Sequence, residues 1–216
     1  MYKEILENTQ SKNVRLVAVS KTKPEQDIRS LYEKGQRDFG ENRAQELAEK
    51  YENLPRDIRW HFIGHLQTNK VKYITPFVHL IHSIDRMKVL KEVNKRAKSD
   101  NRVIDCLLQF HIAEEESKFG FDGKEAEEML SSQAFREMQH IRIVGVMGMA
   151  TFTENTEQVR KEFKQLKRHF EQLKDRFFQK EESFKEISMG MSGDYLIAIE
   201  EGSTMVRIGT LIFGER

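Results

Sequence analysis

VRLVAVSKTKP, residues 14–24, carries the reading of the whole chain. Val14, Leu16, Val17, Ala18 and Val19 form a nearly unbroken apolar run. Such a run reads as a strand covered on both faces, as a parallel sheet requires. Ser20, Lys21, Thr22 and Lys23 follow, and Pro24 leads into a helix. A lysine delivered at the C-terminal end of a buried strand, just before a helix, invites a chemical explanation.

Working outward, the same alternation repeats. Short apolar runs at 15–21 (RLVAVSK), 37–41 (RDFGE), 59–64 (RWHFIG), 80–85 (LIHSID), 103–110 (VIDCLLQF), 141–150 (IRIVGVMGMA), 184–191 (FKEISMGM) and 204–210 (TMVRIGT) predict strands. Amphipathic segments lie between them. Ile28, Leu31 and Tyr32 share one helix face, and Met87, Leu90, Val93 and Ala97 share another. Over 157–178, Val159, Phe163, Leu166, Phe170, Leu173 and Phe177 step by three and four, with charged residues between them. Eight strands alternating with helices predict an α/β fold, a single (β/α)₈ TIM barrel over residues 1–216. An open doubly wound sheet is the alternative. The barrel is preferred because the chain shows no composition break, linker, repeat or second domain. Too little chain follows the eighth strand for a full helix, so YKEILENTQ at the N-terminus is the candidate cover.

The composition narrows the function classes. The 216 residues are 38% hydrophobic and 33% charged, with a net charge of +1, so no global field points to nucleic acid or an anionic membrane. No segment approaches the roughly 20 apolar residues of a membrane span, and no signal-peptide core is visible. The one cysteine, Cys106, sits inside an apolar run and reads as a small buried hydrophobe in a reducing, cytoplasmic compartment. His61 and His65 fall on a strand and a loop rather than one helix face, so no metal pair is expected. His79 and His82 straddle the fourth strand and are expected on opposite faces. Lys118, in the polar loop after the fifth strand, reads as a solvated lysine near the functional rim.

In a barrel the site lies at the C-terminal strand ends, and phosphate is often held after strands seven and eight. Strand seven runs into MGMSGDY, with Ser192 and Gly193; strand eight ends in RIGT, with Gly209 and Thr210. Glycine lets backbone N–H groups approach an anion, and the hydroxyls add donors. Closure would bring strand one, and Lys21, beside that cup. An amine beside a phosphate cup suits a phosphorylated aldehyde. Lys23 is the rival, but it stands directly before Pro24, where the chain should have left the rim.

AVSKTKP, FGENR, WHFIGHLQTNK, IHSID, GVMGMAT, ISMGMSGD and VRIGTLIFG, in this order, resemble the pyridoxal 5′-phosphate (PLP) homeostasis protein family, whose barrels are similar to the N-terminal domain of alanine racemase. The resemblance implies that Lys21 holds PLP as an aldimine. Asn42 would approach the ring or its 3-hydroxyl. Ser192, Gly193, Gly209 and Thr210 would grip the phosphate, Arg207 would face the pyridine nitrogen, and Met149 and His82 would line the pocket. It further implies a cytoplasmic monomer that contributes to vitamin B6 homeostasis, has no established reaction, and supplies PLP to apo-enzymes through transient contacts. The rival reading is a weak PLP-dependent amino-acid racemase. Two-base racemisation needs a second acid/base, and Tyr2, Tyr32, Tyr51, Tyr73 and Tyr195 are all expected on helices or at the N-terminus. A sugar-phosphate enzyme on the same barrel is the third reading.

Overall fold

The closing of the sheet is visible in one pairing. Strand β1 (Arg15–Val19) lies parallel to β8 (Met205–Ile208), with Arg15 opposite Met205 and Ala18 opposite Ile208. Between them β2 (Asp38–Glu41), β3 (Arg59–Phe62), β4 (Leu80–Ile84), β5 (Ile104–Gln109), β6 (Ile141–Met147) and β7 (Glu186–Ser188) follow in chain order. Each pairs in parallel with its neighbours, so the sheet is a closed barrel and the open-sheet alternative is excluded. This computed structural model describes residues 1–114 and 119–215; Lys118 lies outside them.

Economy at the connections lets a short chain close. The longest helix, α7 (Thr156–Phe177), spans the connection from β6 to β7. From β3 to β4 only a 3₁₀ turn, Thr68–Tyr73, intervenes. Among the described residues after β8 there is only a four-residue helix, α9 (Thr210–Phe213). The outer face of β1 and β8 is instead covered from the N-terminus: Ile5 of α1 (Tyr2–Ser11) packs with Val14, Leu16, Val206 and Ile208. Among the described residues, no helix is long and apolar enough to cross a membrane.

The period of two along each strand divides the core. Ala18, Phe39, Trp60 and Phe62 face outward, into the layer between strands and helices. Phe163 and Leu166 of α7 are fully buried in the same layer. Val17, Leu80, Leu107, Val144, Met147 and Met205 form a separate apolar cluster inside the barrel. Cys106 is buried, and burial pushes its thiol pKa up, which fits an inert core residue. Replacing Phe163 by Ala should cost about 3–5 kcal/mol of stability in urea unfolding, the usual penalty for emptying a large core site.

Candidate functional site

The turn that ends β1 is held from three directions. Lys23 N–H donates to the Ser20 carbonyl at 3.0 Å, and Thr22, between them, has φ +64°. A β-branched residue in that region is strained and persists only where its surroundings enforce it. The enforcement comes from α3 (Ala44–Asn53). Thr22 N–H donates to Glu46 Oε1 at 2.7 Å. The buried Lys50 ammonium donates to the Ser20 carbonyl at 2.8 Å and to Glu41 Oε1 and Glu46 Oε1 at 2.7 Å each. Ser20 Oγ donates to Glu41 Oε1 at 2.6 Å. Burial lifts the Glu41 carboxyl to about 6, against the opposing pull of Lys50. These bonds lie behind the strand, so Lys21, in phase with Val17, projects from the inner face at the barrel mouth.

A cavity of about 480 Å³ opens there, within the usual range for small-molecule sites. Lys21, Asn42, Met149 and Arg207 line it, together with Ser192, Gly193, Gly209 and Thr210 from the two loops after β7 and β8. The loops are shaped by close approach. Gly190 (φ +96°) turns the chain out of β7 where a Cβ would sit 2.6 Å from the Ala198 methyl. Gly64 crosses the Asn42 backbone so tightly that a Cβ would meet its carbonyl oxygen at 2.2 Å. Asp194 and Tyr195 N–H both turn back to the Met191 carbonyl, and Ile212 and Phe213 N–H to that of Gly209. Ser192 Oγ accepts from Leu211 N–H at 3.4 Å, joining the two loops. The buried Oδ1 of Asn42 has no hydrogen-bond donor among the described residues.

Arg207 forms the floor. It is buried, donating from Nη1 to Ser188 Oγ at 2.6 Å and from Nη2 to the Gly148 carbonyl at 3.0 Å. Burial lowers its pKa to about 10, partly offset by Asp194, so it stays charged at neutral pH. Below it the inside of the barrel is polar. His82 Nδ1 lies 2.9 Å from Ser188 Oγ, His82 Nε2 lies 2.9 Å from His61 Nδ1, and His61 Nε2 lies 3.0 Å from Asp38 Oδ1. Arg59 caps the far end, donating to both Asp38 oxygens at 2.8 and 2.5 Å.

Two expectations need correction. His82 does not line the cavity: it is fully buried one layer below, behind Ser188 and Arg207. His79 and His82 do not part company either. Both rings lie edge-on to His61, at 5.5 and 5.2 Å, because His79 precedes the strand and is not bound by its alternation. Lys23 is also accounted for: its ammonium donates to the carbonyls of Phe213, Gly214 and Glu215 at 3.1–3.2 Å, outside the cavity. His61 and His65 point apart, the latter to Asp85 at 3.2 Å, and no metal-ligating cluster occurs among the described residues. Residues missed by the sequence reading include Gln109 and Thr151 in the cavity wall.

The sequence profile of the alanine racemase N-terminal domain family matches residues 2–216, so fold and site together define a barrel of that class. A curated relative from Aquifex aeolicus (strain VF5), named pyridoxal phosphate homeostasis protein, is 42% identical over 203 residues, covering 94% of this chain and 87% of its own. PipY of Synechococcus elongatus PCC7942 superposes with a TM-score of 0.88 without PLP, at 33% identity, and covers 98% of this chain and 99% of its own. The PLP-bound form of PipY gives 0.86 at 32% identity over the same shares. The chain belongs to the pyridoxal phosphate homeostasis protein family.

Burial alone would raise the Asp38 pKa, but hydrogen bonds from Arg59 and His61 outweigh it and hold the carboxyl well below its ordinary range. A depressed folded pKa contributes stability that is complete above the unfolded value of about 3.9 and disappears as pH falls through the folded one. Between about pH 5 and about pH 2 the wild type should therefore lose urea stability more steeply than Asp38→Asn. Parallel curves would contradict the assignment.

Proposed function

We propose that this protein binds PLP covalently through Lys21 and serves intracellular PLP homeostasis as a carrier, without a reaction of its own. One observation carries the reading. An amine (Lys21), a buried donor-only guanidinium (Arg207) and two hydroxyl- and glycine-bearing loops converge on one cavity of suitable size. Bound PLP supplies an aldehyde that condenses reversibly with an amine, and a phosphate dianion that seeks N–H and O–H donors.

The protein's side chains divide that task. Lys21, fixed by the strained turn behind it, offers the amine. Ser192, Gly193, Gly209 and Thr210 hold the phosphate with backbone and hydroxyl donors and no cationic side chain, while the unpartnered Asn42 Oδ1 offers an acceptor to a hydroxyl. Met149, 42% exposed, flanks the mouth. Arg207 can only donate, so it favours an unprotonated ring nitrogen. That weakens the electron withdrawal on which carbanion chemistry depends. None of the five tyrosines lines the cavity, which supports the carrier reading over the racemase. We further infer that the unit is a single domain spanning residues 1–216, is monomeric and cytoplasmic, and hands PLP to apo-enzymes by transient contact at the open mouth.

Loading the protein with PLP should give a visible absorption band, and borohydride followed by peptide mapping should leave the label on Lys21. Lys21→Ala should lose both band and label. A label elsewhere, or none, overturns the assignment. Chiral turnover of an L-amino acid by the loaded protein, lost in Lys21→Ala, would instead make it an enzyme.

A further inference from the structure

The polar residues below Arg207 form an unbroken file through the barrel: Arg207, Ser188, His82, His61 and Asp38, with contacts of 2.6, 2.9, 2.9 and 3.0 Å. They come from β8, β7, β4, β3 and β2 and run from the cavity to the opposite rim. There a second, polar cavity of about 520 Å³ is lined by the Asp38–Arg59 pair together with Arg15 and Glu186.

The two ends fix every proton between them. A guanidinium can only donate and an ionised carboxylate can only accept. Asp38 therefore accepts a hydrogen bond from His61 Nε2–H. A neutral His61 then has only Nδ1 as acceptor, so His82 must donate from Nε2–H. His82 Nδ1 in turn accepts from the Ser188 hydroxyl, which leaves the Ser188 lone pairs to accept from Arg207 Nη1. Both imidazoles are neutral: burial lowers the His61 pKa despite Asp38, and lowers that of His82 further. No other arrangement of neutral rings satisfies every contact.

We propose that Asp38, His61, His82 and Ser188 are positioning residues, a single-file hydrogen-bond column polarised from the cavity toward the N-terminal rim, which fixes the Arg207 guanidinium and thereby slows release of PLP. The fixing of Arg207 stands on the hydrogen-bond geometry alone; the effect on release rests on the PLP reading above. The file costs the barrel apolar filling at five inward positions. Such a network is tolerable in a low-dielectric interior only when every member is satisfied.

Two measurements test it. In protein labelled with ¹⁵N-histidine at pH 7, the His61–His82 contact should give a nitrogen–nitrogen coupling across the hydrogen bond. Both rings should be neutral with the proton on Nε2. A proton on Nδ1 of either ring, or an imidazolium, overturns the column; no variant has to fold for this result. The second measurement is PLP release from wild type, His82→Gln and His82→Leu. Glutamine can still donate toward His61 and accept from Ser188, whereas leucine fills the space and does neither. Release should be about tenfold faster in His82→Leu and largely restored in His82→Gln. Equal rates, as a purely packing role requires, or slower release from the leucine variant overturn the positioning role. If wild type takes up no PLP, the functional reading fails while the imidazole spectrum still judges the column.

Discussion

The pairing of β1 with β8 is the constraint on which the site depends. It sets Ala18 opposite Ile208, so the residues just beyond, Lys21 on one side and Gly209 and Thr210 on the other, must share the mouth. Neither the lysine nor the loop has any local reason to meet the other, with nearly the whole sequence between them. Closure supplies the proximity. Alternation along β1 and β8 then points Lys21 and Arg207 inward rather than into the helix layer.

Around that junction the barrel spends polar groups in two contrasting ways. Behind β1, on the outer face, Lys50 gathers Glu41, Glu46 and the Ser20 carbonyl. A buried ion pair is a poor source of net stability, because desolvation offsets the attraction. Its geometric effect is plain, however: it braces a turn whose second central residue, Thr22, lies where glycine is preferred. Inside the barrel, the file from Asp38 to Arg207 runs beside an apolar cluster of Val17, Leu80, Leu107 and Met205. One half of the interior is filled for packing and the other for orientation.

Much of this was legible in the amino-acid order. Continuous apolar runs marked the strands because both faces of a barrel strand are covered, and loop chemistry marked the ends of β7 and β8. Arg207, Asn42 and Met149 came only with the family resemblance; nothing in their local spacing distinguishes them. His82 likewise came with the resemblance, which gave it a place in the pocket wall but no depth along the barrel. It faces inward, yet it sits a layer too low to reach the cavity. Lys50 reads as an ordinary solvated helix lysine, although it stands three residues after the buried Leu47, on the same face. The strain at Thr22 left no trace, since a threonine before a lysine and a proline suggests no left-handed turn.

The distance in sequence between Lys21 and Thr210 carries a consequence for biosynthesis. A chain emerging from the ribosome presents the amine early, but the loops after β7 and β8 that share its cavity come only after some 190 further residues have been made, on the order of ten seconds or more at ordinary elongation rates. Until then β1 has no β8 to lie against, and the backbone N–H and C=O groups along that edge are unpaired. Ligand capture is thus a property of the completed cylinder alone. A chain that ends before β8 keeps the amine but lacks the walls that would retain a ligand beside it.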